Sequence, residues 1–141
     1  MKVLLDTDHI SIMWRRGSGA ELLRSRLAAL PDEDVCVCIV SFQEQVRGWL
    51  AYLNRARKRE QTLQGYRELS GLFDRYRQRP ILPFDDRAMD EFESSQRQRI
   101  RIGTQDLRIA SIAKANGMML LSRNVRDFRH VPGVEVEDWT I

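Results

Sequence analysis

Four acidic residues in this sequence each stand at the end of an apolar run or in a helical turn beside one. Asp6 closes Val3-Leu4-Leu5, Glu44 follows the run from Val35 to Val40, Asp106 ends Gly103-Thr104-Gln105, and Asp127 lies just beyond Met118 to Ser122. Carboxylates brought together repel one another and hold their protons unless a cation neutralises them. Oxygen-only donors suit a hard divalent ion, and magnesium keeps several waters while phosphate oxygens complete its shell. Such a centre can acidify a water and stabilise the leaving oxygen of a phosphodiester. Each acid alone has a simpler reading. Asp6 could cap a turn, Glu44 and Asp106 could complement helix dipoles, and Asp127 could pair with Arg126 or Arg129. The simpler readings must hold four separate times, whereas one metal centre explains all four positions.

The elements that would position these acids alternate between strand and helix. Lys2 to Asp6 reads as a first strand, and Asp8 as the N-cap of a short helix carrying Ile10, Ile12 and Met13. Glu21 to Leu30 reads as a helix stopped by Pro31, followed by a turn through Asp34. Val35 to Val40 is continuously apolar and β-branched, the pattern of a strand buried on both faces. Ser41 would then cap a helix on which Phe42, Val46, Trp49, Leu50 and Leu53 share a face, with Glu44 in its first turn. Asn54 to Arg79 is dense in cations around an apolar stripe and reads as a helical arm or hairpin with a basic outer face. Pro80 to Phe84 reads as an edge strand between prolines, and a helix runs from Asp85 or Asp86 to about Arg99. Thr104 would cap the next helix, which ends at Asn116-Gly117; Met118 to Leu121 is a strand, and Val134 to Val136 a weak one. This alternation implies one α/β domain over residues 1–141 with a parallel sheet covered on both faces. In such a sheet the crevice outside the carboxyl ends of the strands is where ligands sit.

Composition narrows the chemistry. A chain of 141 residues with 43% apolar and 30% charged residues is the size and make-up of one globular domain. No apolar run approaches the roughly 20 residues that span a bilayer, and the amino end runs straight into a strand pattern, so a cytoplasmic protein without a membrane role is expected. Net charge is only +3, but lysine occurs at just Lys2, Lys58 and Lys114; the remaining cations are arginines, whose forks match phosphate oxygens. Codon usage explains arginine enrichment equally well. Cys36 and Cys38 have neither redox nor zinc spacing and read as small buried hydrophobes in a reducing compartment. Neither His9 nor His130 lies in a metal-ligand spacing, and no Gly-rich phosphate loop is present.

Taken in order, the motifs resemble those of PIN-domain ribonucleases of the VapC toxin type. They are Leu5-Asp6-Thr7-Asp8, Ser41-Phe42-Gln43-Glu44-Gln45 with Gly48, Asp106 ahead of Ile109-Ala110, and Leu121-Ser122-Arg123-Asn124-Val125-Arg126-Asp127-Phe128. Val131-Pro132-Gly133 and Val136-Glu137-Asp138-Trp139 follow, so the resemblance covers nearly the whole chain. It implies a three-layer α/β/α sandwich around a parallel sheet, with Asp6, Glu44, Asp106 and Asp127 as catalytic and metal-holding acids. It also implies Ser122, Asn124 and Asp8 as supports, and Mg2+ or Mn2+ as cofactor. The substrate would be structured RNA (transfer or ribosomal), gripped by Arg55, Arg57, Lys58 and Arg59 of the arm and by Arg123 and Arg126. An antitoxin partner and a homodimer are expected on the same ground. The sequence departs from the family pattern in three places: Asp8 where asparagine is common, Asn124 where some relatives have aspartate, and Gln105 where many have an aromatic residue.

Two other functions fit part of the sequence. Asp6-Thr7-Asp8 resembles the nucleophile motif of haloacid dehalogenase-type phosphatases, but Ile10 stands where that motif needs threonine or valine. A non-catalytic RNA-binding or scaffold module would be expected to have lost one of the acids, and all four are present.

Overall fold

The computed structural model describes all 141 residues. Five strands form one parallel sheet: β1 (Val3–Leu5), β2 (Val35–Cys38), β3 (Ile81–Leu82), β4 (Met119–Leu121) and β5 (Val136–Glu137). Their order is β3-β2-β1-β4-β5, with Leu4 opposite both Cys36 and Leu120 in register. The chain builds outward from β1 to β2 and β3, then returns to the other side of β1 for β4 and β5. The order therefore reverses between β1 and β4, and a crevice opens outside their carboxyl ends.

Seven helices cover the sheet: α1 (Thr7–Met13), α2 (Ala20–Ala28), α3 (Ile39–Arg55), α4 (Arg59–Tyr76), α5 (Asp86–Arg97), α6 (Thr104–Ala115) and α7 (Val125–Phe128). Strand side chains alternate between faces, so consecutive residues feed two cores. Leu4, Cys36, Cys38 and Leu120 point into one with Phe92, Ile109, Ile112 and Phe128 of α5, α6 and α7. Val3, Leu5, Val35, Val37 and Leu121 point into the other with Ile10, Leu23, Leu72 and Tyr76 of α1, α2 and α4. The expected three-layer α/β/α sandwich is the fold observed, and both cysteines are buried free thiols.

Several boundaries differ from the sequence reading. The strand expected through Val40 ends at Cys38, because α3 begins at Ile39; Ser41 lies inside that helix and Glu44 in its second turn. The N-cap of α1 is Asp6, whose carboxylate accepts from the Thr7 amide, and Asp8 is in the first turn. Gly103, not Thr104, occupies the N-cap position of α6. The basic arm is the hairpin form: α3 and α4 pack together about a break at residues 56–58. The edge position of β3 is as the sequence indicates, and of the two helix starts it offered, α5 begins at Asp86 with Asp85 as its N-cap.

Candidate active site

Asp6 is placed by the sheet itself. Its amide donates to Leu121 O at 2.9 Å, which carries the β1–β4 ladder one residue past the strand and fixes the carboxylate at the mouth of the crevice. The side chain is only 6% exposed. Oδ1 accepts from the Thr7 amide at 2.8 Å and Oδ2 from the Ser122 hydroxyl at 2.7 Å. Ser122 Oγ also lies 3.3 Å from Asp8 Oδ2 and accepts from the Asn124 amide at 2.9 Å.

From there the network reaches the other acids. Asn124 Nδ2 donates to Asp127 Oδ2 at 3.1 Å and to Asp106 Oδ2 at 3.3 Å, so one amide group bridges α6 and α7. On the opposite side, the Thr7 hydroxyl donates to Glu44 Oε1 at 2.8 Å and lies 3.0 Å from Ser41 Oγ. Ser41, fully buried, stands three residues before Glu44 on the same face of α3. Gln105 Nε2 donates to Gln43 Oε1 at 3.0 Å, tying α6 to α3 beside the acids. The four acids, Asp8, Ser122 and Asn124 thus occupy one crevice at the topological switch point.

The electrostatics of this crevice are unbalanced. Burial, then the nearby Asp8 carboxylate and more weakly Asp106, push Asp6 up to about 7 against its hydrogen bonds from Ser122 and Thr7. Burial raises Glu44, assisted by Asp106 and opposed by the Thr7 bond and by Arg47. Burial also raises Asp106, with Asp127 and Asp8 adding to it and Asn124 opposing. None of the six ion pairs in the structure includes any of the four acids. Three carboxylates held above their ordinary range, with oxygen donors only and no cation partner, match the needs of a hard divalent ion. No three of them stand close enough to enclose an ion alone, so water or phosphate oxygens would complete the shell, as magnesium prefers.

Some contributors are not evident from sequence. Thr7 is the hinge between Asp6 and Glu44, and Ser41 backs it; the one hint is their placement directly after and one turn before an acid. His9 is fully buried. Its Nε2 accepts from the Trp139 amide at 3.1 Å, which leaves the proton on Nδ1 to be donated to Asp8 Oδ1 at 2.8 Å. Asp8 Oδ2 in turn accepts from the Arg123 amide at 3.0 Å.

The expected cations fall into two places. Arg123 and Arg126 flank the crevice on the β4–α7 connection and in α7. Arg55, Arg57, Lys58 and Arg59 are exposed at the tip of the α3–α4 hairpin. Roughly 16 Å of helix separates Arg55 from Glu44, at about 1.5 Å per residue. The structure therefore brings the acids and Arg123 together and leaves the hairpin cations apart.

The PIN domain family matches residues 3–134. Over 40 residues the chain is 50% identical to ribonuclease VapC1 of Rickettsia felis, and over 38 residues 37% identical to the tRNA(fMet)-specific endonuclease VapC of Salmonella typhimurium. Those stretches are 28% and 27% of this chain and span only 30% and 29% of the two relatives. Among solved structures, the DNA-bound VapBC of Salmonella typhimurium matches with a TM-score of 0.75 at 22% identity, over 99% of this chain and 98% of that one. FitAcB of Neisseria gonorrhoeae matches with a TM-score of 0.72 at 22% identity, over 97% of each chain. The family match begins in β1 and runs past β4, taking in all four acids, and the chain belongs to the PIN-domain family.

Proposed function

We propose that this protein is a Mg2+- or Mn2+-dependent endoribonuclease, the toxin of a toxin–antitoxin pair, that hydrolyses structured RNA to a 5′-phosphate and a 3′-hydroxyl. The observation that carries the reading is the convergence of Asp6, Glu44, Asp106 and Asp127 in one crevice without a cation partner. The two curated relatives, named as a ribonuclease and a transfer-RNA endonuclease, support the same reaction.

Asp6, Glu44 and Asp106 would hold the ion, and Asp127 would join through the Asn124 amide. A bound magnesium or manganese supplies Lewis acidity toward the phosphodiester and makes water easier to deprotonate. The chain's own part is preorganisation. Ser122, Thr7 and Asn124 fix the carboxylates by hydrogen bonds, so no side chain must be reoriented as the phosphate arrives. The raised proton affinity of the half-buried Asp106 suits it to accept the proton of an attacking water. Asp6, nearly buried with both oxygens engaged, is poorly placed to attack phosphorus itself, which argues against the phosphatase reading.

A protein partner is supported by the outer side of the α3–α4 hairpin, where Tyr66 and Phe73 are 59% and 63% exposed. An antitoxin or a second copy of the chain would cover such a face.

The test is cleavage of total cellular RNA with Mg2+ or Mn2+, beside an EDTA control and Asp106→Asn. Discrete fragments whose rate falls at least about 100-fold in the variant are expected, in line with losing an acid–base group. Unchanged cleavage in Asp106→Asn, with fragments intact in EDTA, would remove the acid crevice from the reaction.

A further inference from the structure

The acid crevice has a neighbour that the sequence reading did not foresee. A cavity of about 250 Å3 lies between the loop after α1 and the tail of the chain, and Arg15, Arg16 and Arg123 all line it. All three are exposed, and none takes part in an ion pair. No carboxylate side chain lines the cavity; its other walls include Ser18, Gly19, Thr140 and Ile141, whose α-carboxylate is the one acidic group on a lining residue, against three arginines.

The walls are set firmly. Gly19 has φ +85°, and a Cβ there would meet Thr140 O at 3.1 Å and its Cβ at 3.2 Å. Thr140 is held in turn by Asp138, which accepts from its amide at 2.8 Å and from its hydroxyl at 2.6 Å. The uncapped amino end of α2, at Gly19 and Ala20, faces the same space and adds to its positive potential.

We infer that this cavity is a phosphate seat for the RNA strand entering the crevice, holding a backbone phosphate a short way from the one that is cut. The inference rests on the nuclease reading above. Guanidinium groups match phosphate oxygens in bidentate fashion, and three of them around one recess leave a charge deficit that an anion fills. Position decides in favour of nucleic acid. The Arg123 amide is bonded to Asp8, and Asp8 shares the Ser122 hydroxyl with Asp6, so a strand in the crevice runs directly past the cavity mouth. Beyond Arg123 a shallower cleft continues with Arg126 and Arg129, although Glu137 and Asp138 also face it. The three-arginine cavity is therefore the stronger anion site, and it bears on the hairpin cations. Arg57 Nη1 already donates to the Asn54 and Ala56 carbonyls at 3.3 Å, and Arg55 stands about 16 Å of helix from Glu44.

The experiment measures how binding depends on salt, in EDTA so that no cutting occurs, using a fluorescein-labelled single-stranded oligouridylate and the full chain. Each lost phosphate contact lowers the slope of log affinity against log salt by about 0.7 for single strands. Arg15→Ala, Arg16→Ala and Arg123→Ala combined should lower it by about 0.7, the share of the one phosphate the cavity holds, while Arg55→Ala with Arg57→Ala and Lys58→Ala leaves it unchanged. If the triple variant does not fold, the single Arg15→Ala and Arg16→Ala variants should each lower the slope, by less than the about 0.7 of a whole phosphate. A slope unchanged in the cavity variants overturns the seat, as does a loss confined to the hairpin variant. Weakened binding of polyglutamate with intact oligouridylate binding would assign the cavity to an acidic protein segment and also overturn it. Because this readout needs neither metal nor turnover, a protein that binds through the cavity but never cuts RNA would sink the nuclease reading and spare the seat.

Discussion

Asp6 has its carboxylate nearly out of water, with two hydrogen bonds on its oxygens and two further acids nearby. In the unfolded chain it titrates near the ordinary aspartate value, and in the fold at about 7. Between those values the folded state binds the extra proton, so this residue's contribution to stability is present below about pH 4 and lost as pH rises through about 7. Metal-free protein should therefore melt lower at about pH 8 than at about pH 5, and Asp6→Asn should flatten the difference, by up to about 3 kcal/mol at one unit per 1.36 kcal/mol. Thermal melts of both proteins across that range in EDTA check this, and an equal pH dependence in the two would refute it. Saturating Mg2+ at about 100 times its Kd should return about 2.7 kcal/mol to the wild type at the higher pH.

His9 allows a finer experiment at the same scale. Asn in its place can still donate toward Asp8 where Nδ1 did, whereas Gln reaches instead toward the Trp139 amide. Both variants lose a buried ring and should cost about 1–3 kcal/mol of stability. Only His9→Gln should lose cleavage, by about 10-fold or more, because it leaves Asp8 Oδ1 without its donor and frees the carboxylate to turn about the bonds to Oδ2. The ratio of kcat/KM for the two variants, measured below both melting temperatures, is the readout. Equal rates would mean that His9 serves packing alone.

Among the elements, the α3–α4 hairpin is where substitution has opposite signs at similar residues. Gly48 lies inside α3, and a Cβ added there would meet nothing within 4 Å, so Gly48→Ala should stabilise by up to about 1 kcal/mol through helix propensity. Gly65 lies inside α4 against α3, where a Cβ would meet Leu53 Cδ2 at 2.5 Å and Cγ at 2.8 Å. Gly65→Ala should destabilise by about 1–3 kcal/mol despite the same propensity gain. Chemical denaturation of the two variants separates the effects. The hairpin is also tied to the site's own layer: Tyr76 donates to Gln45 Oε1, and Gln45 Nε2 donates to Ser11 Oγ at 3.1 Å.

The elements also show what could be read in advance. Strands stood out because burial on both faces leaves uninterrupted apolar runs, and Asp6 and Glu44 stood out because each follows such a run. Ile39 and Val40 misled for the same reason: β-branched residues suit a strand, but tertiary packing starts α3 there and moves Glu44 to its second turn. Asp8 looked like a cap because capping residues cluster before helices, while the cap that forms is Asp6, two residues earlier. α7, four residues long, is too short to show a period. Thr7 with Glu44, His9 with Trp139 and Arg15 with Arg123 are brought together by the fold across long stretches of sequence, and local pattern carries no trace of them.

At the scale of the molecule, a net charge of +3 conceals two opposite fields side by side: a carboxylate crevice whose four acids form no ion pair and an arginine cavity with no carboxylate side chain. The sheet order makes this possible, because reversing direction between β1 and β4 opens a gap where the first and the late parts of the chain meet. The same order has a consequence for synthesis. Asp6 is made first, yet the hydroxyl that orients it belongs to Ser122, 116 residues later, and the strand beside it is β4. At about 5–20 residues per second, a chain that has already exposed Asp6 and Glu44 waits several seconds more for those partners. The acid crevice is therefore incomplete throughout most of the chain's own translation, and it closes only when there is little left to make.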